Sequence, residues 1–179
     1  MTDLSQGGNG PVEGGSVRVA IDWTAPSAEF DVDVSSYLIT EAGRVRGDAD
    51  MVFHNQPSGA DGAVKLTLNK VPTGRSEGAF EVELSALPPS IAKVVFCLTI
   101  NDAAAKRQTF GQVVRVGVAV RPAAGGELSF RPALAGATEA ALIVGELYRR
   151  NGQWKFRAVG QGYASGLAGI AKDFGVNVG

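Results

Sequence analysis

Phe80-Glu81-Val82-Glu83-Leu84 alternates apolar and acidic side chains without a break. Successive side chains of an extended backbone point to opposite faces. This run therefore has one apolar and one charged face, and suits a sheet that is wet on one side. Val17-Arg18-Val19-Ala20-Ile21 and Val64-Lys65-Leu66-Thr67-Leu68 repeat the pattern. The stretch from Lys93 to Ile100 is apolar almost throughout, as a central strand covered on both faces requires. Val113 to Val120, Leu128 to Arg131, Ala140 to Arg149 and Gln153 to Val159 read as further strands. Asp61-Gly62, Gly125-Gly126 and Asn151-Gly152 supply turns between them, and the Asn-Gly pair between Tyr148 and Trp154 suits the type I′ turn of a tight hairpin. About ten strands at this spacing predict an all-β sandwich or barrel.

Only the end of the chain departs from strand periodicity. Leu167, Ile170, Ala171 and Phe174 fall on one face of a helix, which predicts a short C-terminal amphipathic helix packed on the β-fold. At 179 residues the chain is one domain. Residues 1–15 read as a flexible, Gly-rich segment and 16–179 as the folded domain.

The formal net charge of -1 argues against nucleic acid or an anionic membrane surface as the main partner, since both reward a basic excess. A single cysteine, Cys97, rules out an intrachain disulfide and a cysteine-rich zinc site. It lies within Val94-Val95-Phe96-Cys97-Leu98, so a buried, inert thiol is expected. The opening MTDLSQGGNG has neither the basic start nor the apolar core of a signal peptide, and no apolar run reaches the length of a transmembrane helix. The expected location is the cytoplasm.

Catalytic chemistry is poorly provided for. His54, the one histidine, precedes a turn, and no Gly-x-Ser-x-Gly elbow presents a serine to it. Gly160, Gly162 and Gly166 have the wrong spacing for a dinucleotide loop, and too little chain follows them for another parallel strand. Tight turning of the chain into the helix is the better reading. Oxygen-ligand chemistry has more to offer. In extended segments Asp31-Val32-Asp33 and Asp48-Ala49-Asp50 each place two carboxylates on one side, where they repel unless a cation, a basic group or a proton intervenes. Calcium is the natural candidate, with Asp102 at the end of the central apolar strand well placed to join. Arg44, Arg46 and Arg75 are competing partners for the same carboxylates.

Several ordered stretches resemble the TerD-like tellurite-resistance and stress-response domain of bacteria. They include Leu4-Ser5-Gln6-Gly7-Gly8-Asn9, Phe30-Asp31-Val32-Asp33-Val34-Ser35 and the run Arg46 to Asn55. Thr99-Ile100-Asn101-Asp102-Ala103, Phe110-Gly111-Gln112-Val113 and the long run Gly145 to Tyr163 continue the series. Gly166-Leu167-Ala168-Gly169 and Phe174-Gly175-Val176 carry it almost to the end. The resemblance implies a β-sandwich of two packed, mainly antiparallel, five-stranded sheets and a cytoplasmic stress protein, and the poor provision for catalysis makes a non-enzymatic role the expectation. It also implies calcium bound by a Gly-Asp-Asn-x-Thr-Gly loop, a Gly-Asp-Asp-Glu segment and nearby acids.

The chain departs from that pattern where the ligands should be. The loop reads Leu68-Asn69-Lys70-Val71-Pro72-Thr73-Gly74, the acidic segment keeps only Glu77, and Asn101 stands where the family shows histidine. Asp31, Asp33, Asn69, Glu77 and Asp102 are the surviving candidate ligands. Calcium affinity follows the number of anionic ligands, so the loss of acids and the gain of Lys70 and Arg75 predict a weakened site. The expected role is a ligand- or partner-binding module working with other proteins of a tellurite-resistance or stress complex. A calcium-dependent docking module with peripheral membrane association is the alternative. Behind it stands an enzyme acting on the toxic species, which would need Cys97 to be reactive.

Overall fold

The computed structural model describes residues 1–177. Its strands are β1 (Thr2–Leu4), β2 (Asn9–Pro11), β3 (Glu13–Thr24), β4 (Val32–Thr40), β5 (Met51–Val52), β6 (Ser58–Gly59), β7 (Val64–Asn69), β8 (Arg75–Glu83), β9 (Ile91–Ile100), β10 (Arg115–Ala124), β11 (Leu128–Phe130), β12 (Ala141–Arg150) and β13 (Gln153–Tyr163). A one-turn helix, α1 (Ala103–Lys106), and a longer one, α2 (Gly166–Phe174), complete the elements. The strands form a seven-stranded sheet, β1-β11-β10-β3-β8-β7-β6, and a six-stranded sheet, β2-β13-β12-β9-β4-β5. Among the described residues every pairing is antiparallel except that of β1 with β11. The expected two-sheet sandwich is therefore present, and the strands beyond the expected count are short edge pieces such as β1, β2, β5 and β6.

Alternation explains the main core. Val19 and Ile21 of β3 and Phe80 and Val82 of β8 point inward against Leu38, Val94, Phe96 and Leu98 of the other sheet. The rings of Phe80 and Phe96 lie 5.2 Å apart, bridging the sheets. Outward positions of the same strands carry charge, as where Arg18 meets Glu81 at 2.6 Å.

The six-stranded sheet is covered on its far face as well. Tyr37, Val95, Cys97 and Ile143 pack there under Ile170 and Ala171 of α2. This second core explains the unbroken apolar run of β9, where Val94, Phe96 and Leu98 face one way and Val95 and Cys97 the other. Nine residues are too few for an autonomous helix, so α2 owes its stability to this packing. Its end is fixed by Gly175 at φ +81° and by the Val176 N–H donating to the Ala171 carbonyl at 2.8 Å.

One other turn follows the sequence closely. Asn151 and Gly152 both have positive φ between β12 and β13, as a type I′ hairpin needs. The Gly-rich first fifteen residues supply β1 and β2, and between them Gly7 N–H donates to the Ala158 carbonyl at 2.7 Å.

Candidate metal centre

In β4, Val32 and Val34 face the inter-sheet core, which turns Asp33 to the opposite face; Asp31 lies one residue before the strand. The carbonyl of Asp31 accepts the Asn101 N–H at 2.8 Å, joining the start of β4 to the end of β9. Lys70, at the exit of β7 in the other sheet, reaches across the end of the sandwich. Its ammonium donates to Asp31 Oδ1 at 2.6 Å and to Asp33 Oδ1 at 2.8 Å. The Asn101 side-chain amide donates to the remaining oxygens, Asp31 Oδ2 at 3.2 Å and Asp33 Oδ2 at 2.5 Å. All four carboxylate oxygens therefore accept a hydrogen bond from the protein itself.

The electrostatics match this closure. The Lys70 hydrogen bond holds the Asp31 carboxyl below its ordinary range, against partial burial and with help from Asn101. Burial opposes the charge on Lys70, but its bonds to Asp31 and Asp33 outweigh that and hold the ammonium above its usual value. The corner is a pair of carboxylates with a tethered cation between them.

The other candidate ligands lie elsewhere. Leu66 belongs to the core and Leu68 packs against it, so Asn69 points to the outer face of the seven-stranded sheet; its cross-strand partner Glu77 points the same way. There the Glu77 carboxylate pairs with Arg18 at 3.3 Å. Asp102 is next to the corner, with φ +52° at the start of α1, and its exposed carboxylate makes no hydrogen bond or ion pair among the described residues. Calcium takes six to eight oxygens, largely anionic. Among the described residues no group of three or more Asp, Glu, His or Cys side chains is gathered to hold a metal ion. With both aspartates fully bonded and an ammonium between them, the residues present do not fit a calcium ion.

The second acidic pair is not in a strand. Residues Asp48–Asp50 form a 3-10 turn, which separates the two side chains. Asp50 is buried and accepts from Arg46 Nε at 2.8 Å, Nη2 at 2.8 Å and the backbone N–H at 3.0 Å. Asp48 Oδ1 instead accepts the Asn177 N–H at 3.0 Å, tying down the end of the described chain. Arg46 is thus a partner of Asp50, whereas Arg75 pairs with Asp22 at 3.2 Å, away from the corner. The role of Lys70 was legible only as a basic residue standing in an acidic loop.

The remaining reactive groups are quiet. Cys97 is fully buried beneath α2, and burial pushes its thiol far above its ordinary range. His54 is exposed in a turn, with its ring edge-on to Phe53 at 5.3 Å.

The chain matches the TerD domain family over residues 1–174. It is 40% identical to the tellurium resistance protein TerD of Serratia marcescens, over 97% of each chain. It is 44% identical to general stress protein 16U of Bacillus subtilis, over 84% of this chain and 80% of that one. A solved structure of a TerD homologue from Streptomyces coelicolor aligns with a TM-score of 0.65 at 25% identity, covering 90% of this chain and 96% of that one.

Proposed function

The chain belongs to the TerD domain family of tellurium-resistance and stress-response proteins, and we propose that it serves there as a non-enzymatic binding module with little affinity for calcium. The observation that carries this reading is the closed corner: Lys70 and Asn101 occupy every oxygen of Asp31 and Asp33. A calcium ion would have to expel the ammonium and turn the amide, with Asn69 and Glu77 held on another face. Catalysis by Cys97 is disfavoured by the burial that keeps the thiol protonated. Other proteins of a stress or tellurite-resistance complex are the proposed partners and the cytoplasm the proposed site of action. No helix among the described residues is long and apolar enough to cross a membrane. A calcium bridge to lipid would need the open carboxylates that Lys70 covers.

Calorimetric titration of calcium into the protein tests this, with Asp31→Asn and Asp102→Asn as controls. Neither heat nor a rise in Tm is expected up to millimolar calcium. Saturable micromolar binding that disappears in Asp31→Asn would overturn the reading.

A further inference from the structure

The far face of the six-stranded sheet is only partly covered by α2. Beside the helix it opens into a groove of about 760 Å³, between Phe174 on one side and the Gln6-Gly7 turn on the other. Ile39, Val95 and Ile143 are buried beneath it, and the apolar surface it presents comes from the partly exposed Val159, Tyr163 and Phe174. Directly across from Val95, on β12, sits Glu146, whose side chain is only 10% exposed. Burying a carboxylate is costly unless it is paired. Here it is paired twice: Arg157 Nη1 lies 3.1 Å from Oε1 and Lys93 Nζ 3.5 Å from Oε2. The Arg157 guanidinium is also stacked on the Tyr148 ring, 4.5 Å from its centroid, which fixes its plane.

Two cations share one anion, so the charged lining carries a net charge of +1, from Lys93 and Arg157 less Glu146. No other carboxylate pairs with either cation among the described residues. The volume is that of a small-molecule pocket, and its lining divides about evenly between polar and apolar surface. Tyr163, on the wall, has its phenol pushed above its ordinary range by burial and by its hydrogen bond to the Asp173 carboxylate, so its hydroxyl proton is already engaged.

We propose that this groove binds a small organic monoanion, with its acidic group between Lys93 and Arg157 and its apolar body along Val159 against Phe174. The proposal rests on the binding-module reading and gives it a ligand class. Glu146 then orients the two cations and sets the charge that the ligand must match.

Anilinonaphthalene sulfonate, a monoanionic aryl dye, and phenylnaphthylamine, the same ring system without the sulfonate, are the probes. Saturable fluorescence at one sulfonate dye per folded chain is expected, with the neutral dye weaker by about tenfold. Lys93→Met and Arg157→Gln should each weaken the sulfonate dye about three- to fivefold, in line with partly exposed charges. Glu146→Gln should strengthen it. Lys155→Met, which removes a cation outside the lining, should leave it unchanged. Thermal unfolding verifies each fold, and Lys93→Gln replaces any variant that loses its cooperative transition. Equal affinity for the two dyes, or affinity unchanged in both Lys93→Met and Arg157→Gln, overturns the assignment. Either result leaves the calcium titration unaffected, so the two readings fail separately.

Discussion

Asp31-Val32-Asp33 and Asp48-Ala49-Asp50 share one sequence pattern and end in different chemistry. The first runs into a strand, so its carboxylates stand side by side at the edge of the sandwich and draw in Lys70 from the opposite sheet. The second coils into a 3-10 turn, so one carboxylate is buried on Arg46 and the other holds the backbone at Asn177. Backbone conformation, rather than the spacing of acids, decides whether two carboxylates share a cation. The first pair keeps the geometry of a cation site and fills it with a side chain; the second is structural throughout.

The largest effect is expected where a charge is buried. Arg46→Met leaves Asp50, 5% exposed at its side chain, with only the backbone N–H at residue 46 for a partner among the described residues. A cost of about 3 kcal/mol follows, read as a lower midpoint in urea unfolding. A loss below about 1 kcal/mol would show that Asp50 reaches solvent and would remove the contrast between the pairs.

Lys70→Met should cost less and reveal more. The Lys70 and Asp31 side chains are 35% and 50% exposed, so water screens the pair and the loss is about 1 kcal/mol. The variant frees two adjacent carboxylates and lets Asn101 offer its amide oxygen. Millimolar calcium should then raise the Tm of Lys70→Met by about 3 °C while leaving the parent protein unmoved. A variant as unresponsive as the parent would mean that the corner had lost more than its access.

The same pair sets a pH signature. The Asp31 pKa is depressed on folding, so its stabilisation is complete above the unfolded value near 4 and is lost as pH falls through the folded value. The Lys70 pKa is raised, so its stabilisation is complete below the unfolded value of about 10.5 and is lost as pH rises beyond it. The difference in stability between the parent and Lys70→Met should be flat across neutral pH and shrink at both extremes. A difference that changed steadily between pH 5 and 9 would assign the effect to other groups.

What could be read in advance followed local periodicity. The alternation of β3, β7 and β8, the Asn151-Gly152 hairpin and the apolar face of α2 each depend on residues close in the chain. The Asp31 and Asp33 pairing was legible for the same reason. The separation of Asn69 and Glu77 from that pair was not, because it depends on β7 and β8 joining one sheet and β4 the other. A long side chain from a turn, as at Lys70, leaves no periodic trace. The groove beside α2 is more remote still, since its walls come from residues 6 and 7, the sheet face and the C-terminal helix.

Asp48→Ala should have the smallest effect and defines the limit of the comparison. Its exposed carboxylate accepts one hydrogen bond from the Asn177 N–H, a net contribution of about 0.5 kcal/mol. That bond holds the chain just beyond Val176, which is buried in the second core and whose N–H closes the end of α2 on Ala171. Loosening should therefore be local: faster exchange of the Val176 amide, with the urea midpoint nearly unchanged and no gain in calcium response. If Asp48→Ala instead altered calcium binding, this pair would have to be counted as part of a cation site despite its 3-10 turn. If it cost as much as Arg46→Met, the C-terminal segment would be a cooperative part of the sandwich, and the second acidic pair would be holding two elements in place rather than one.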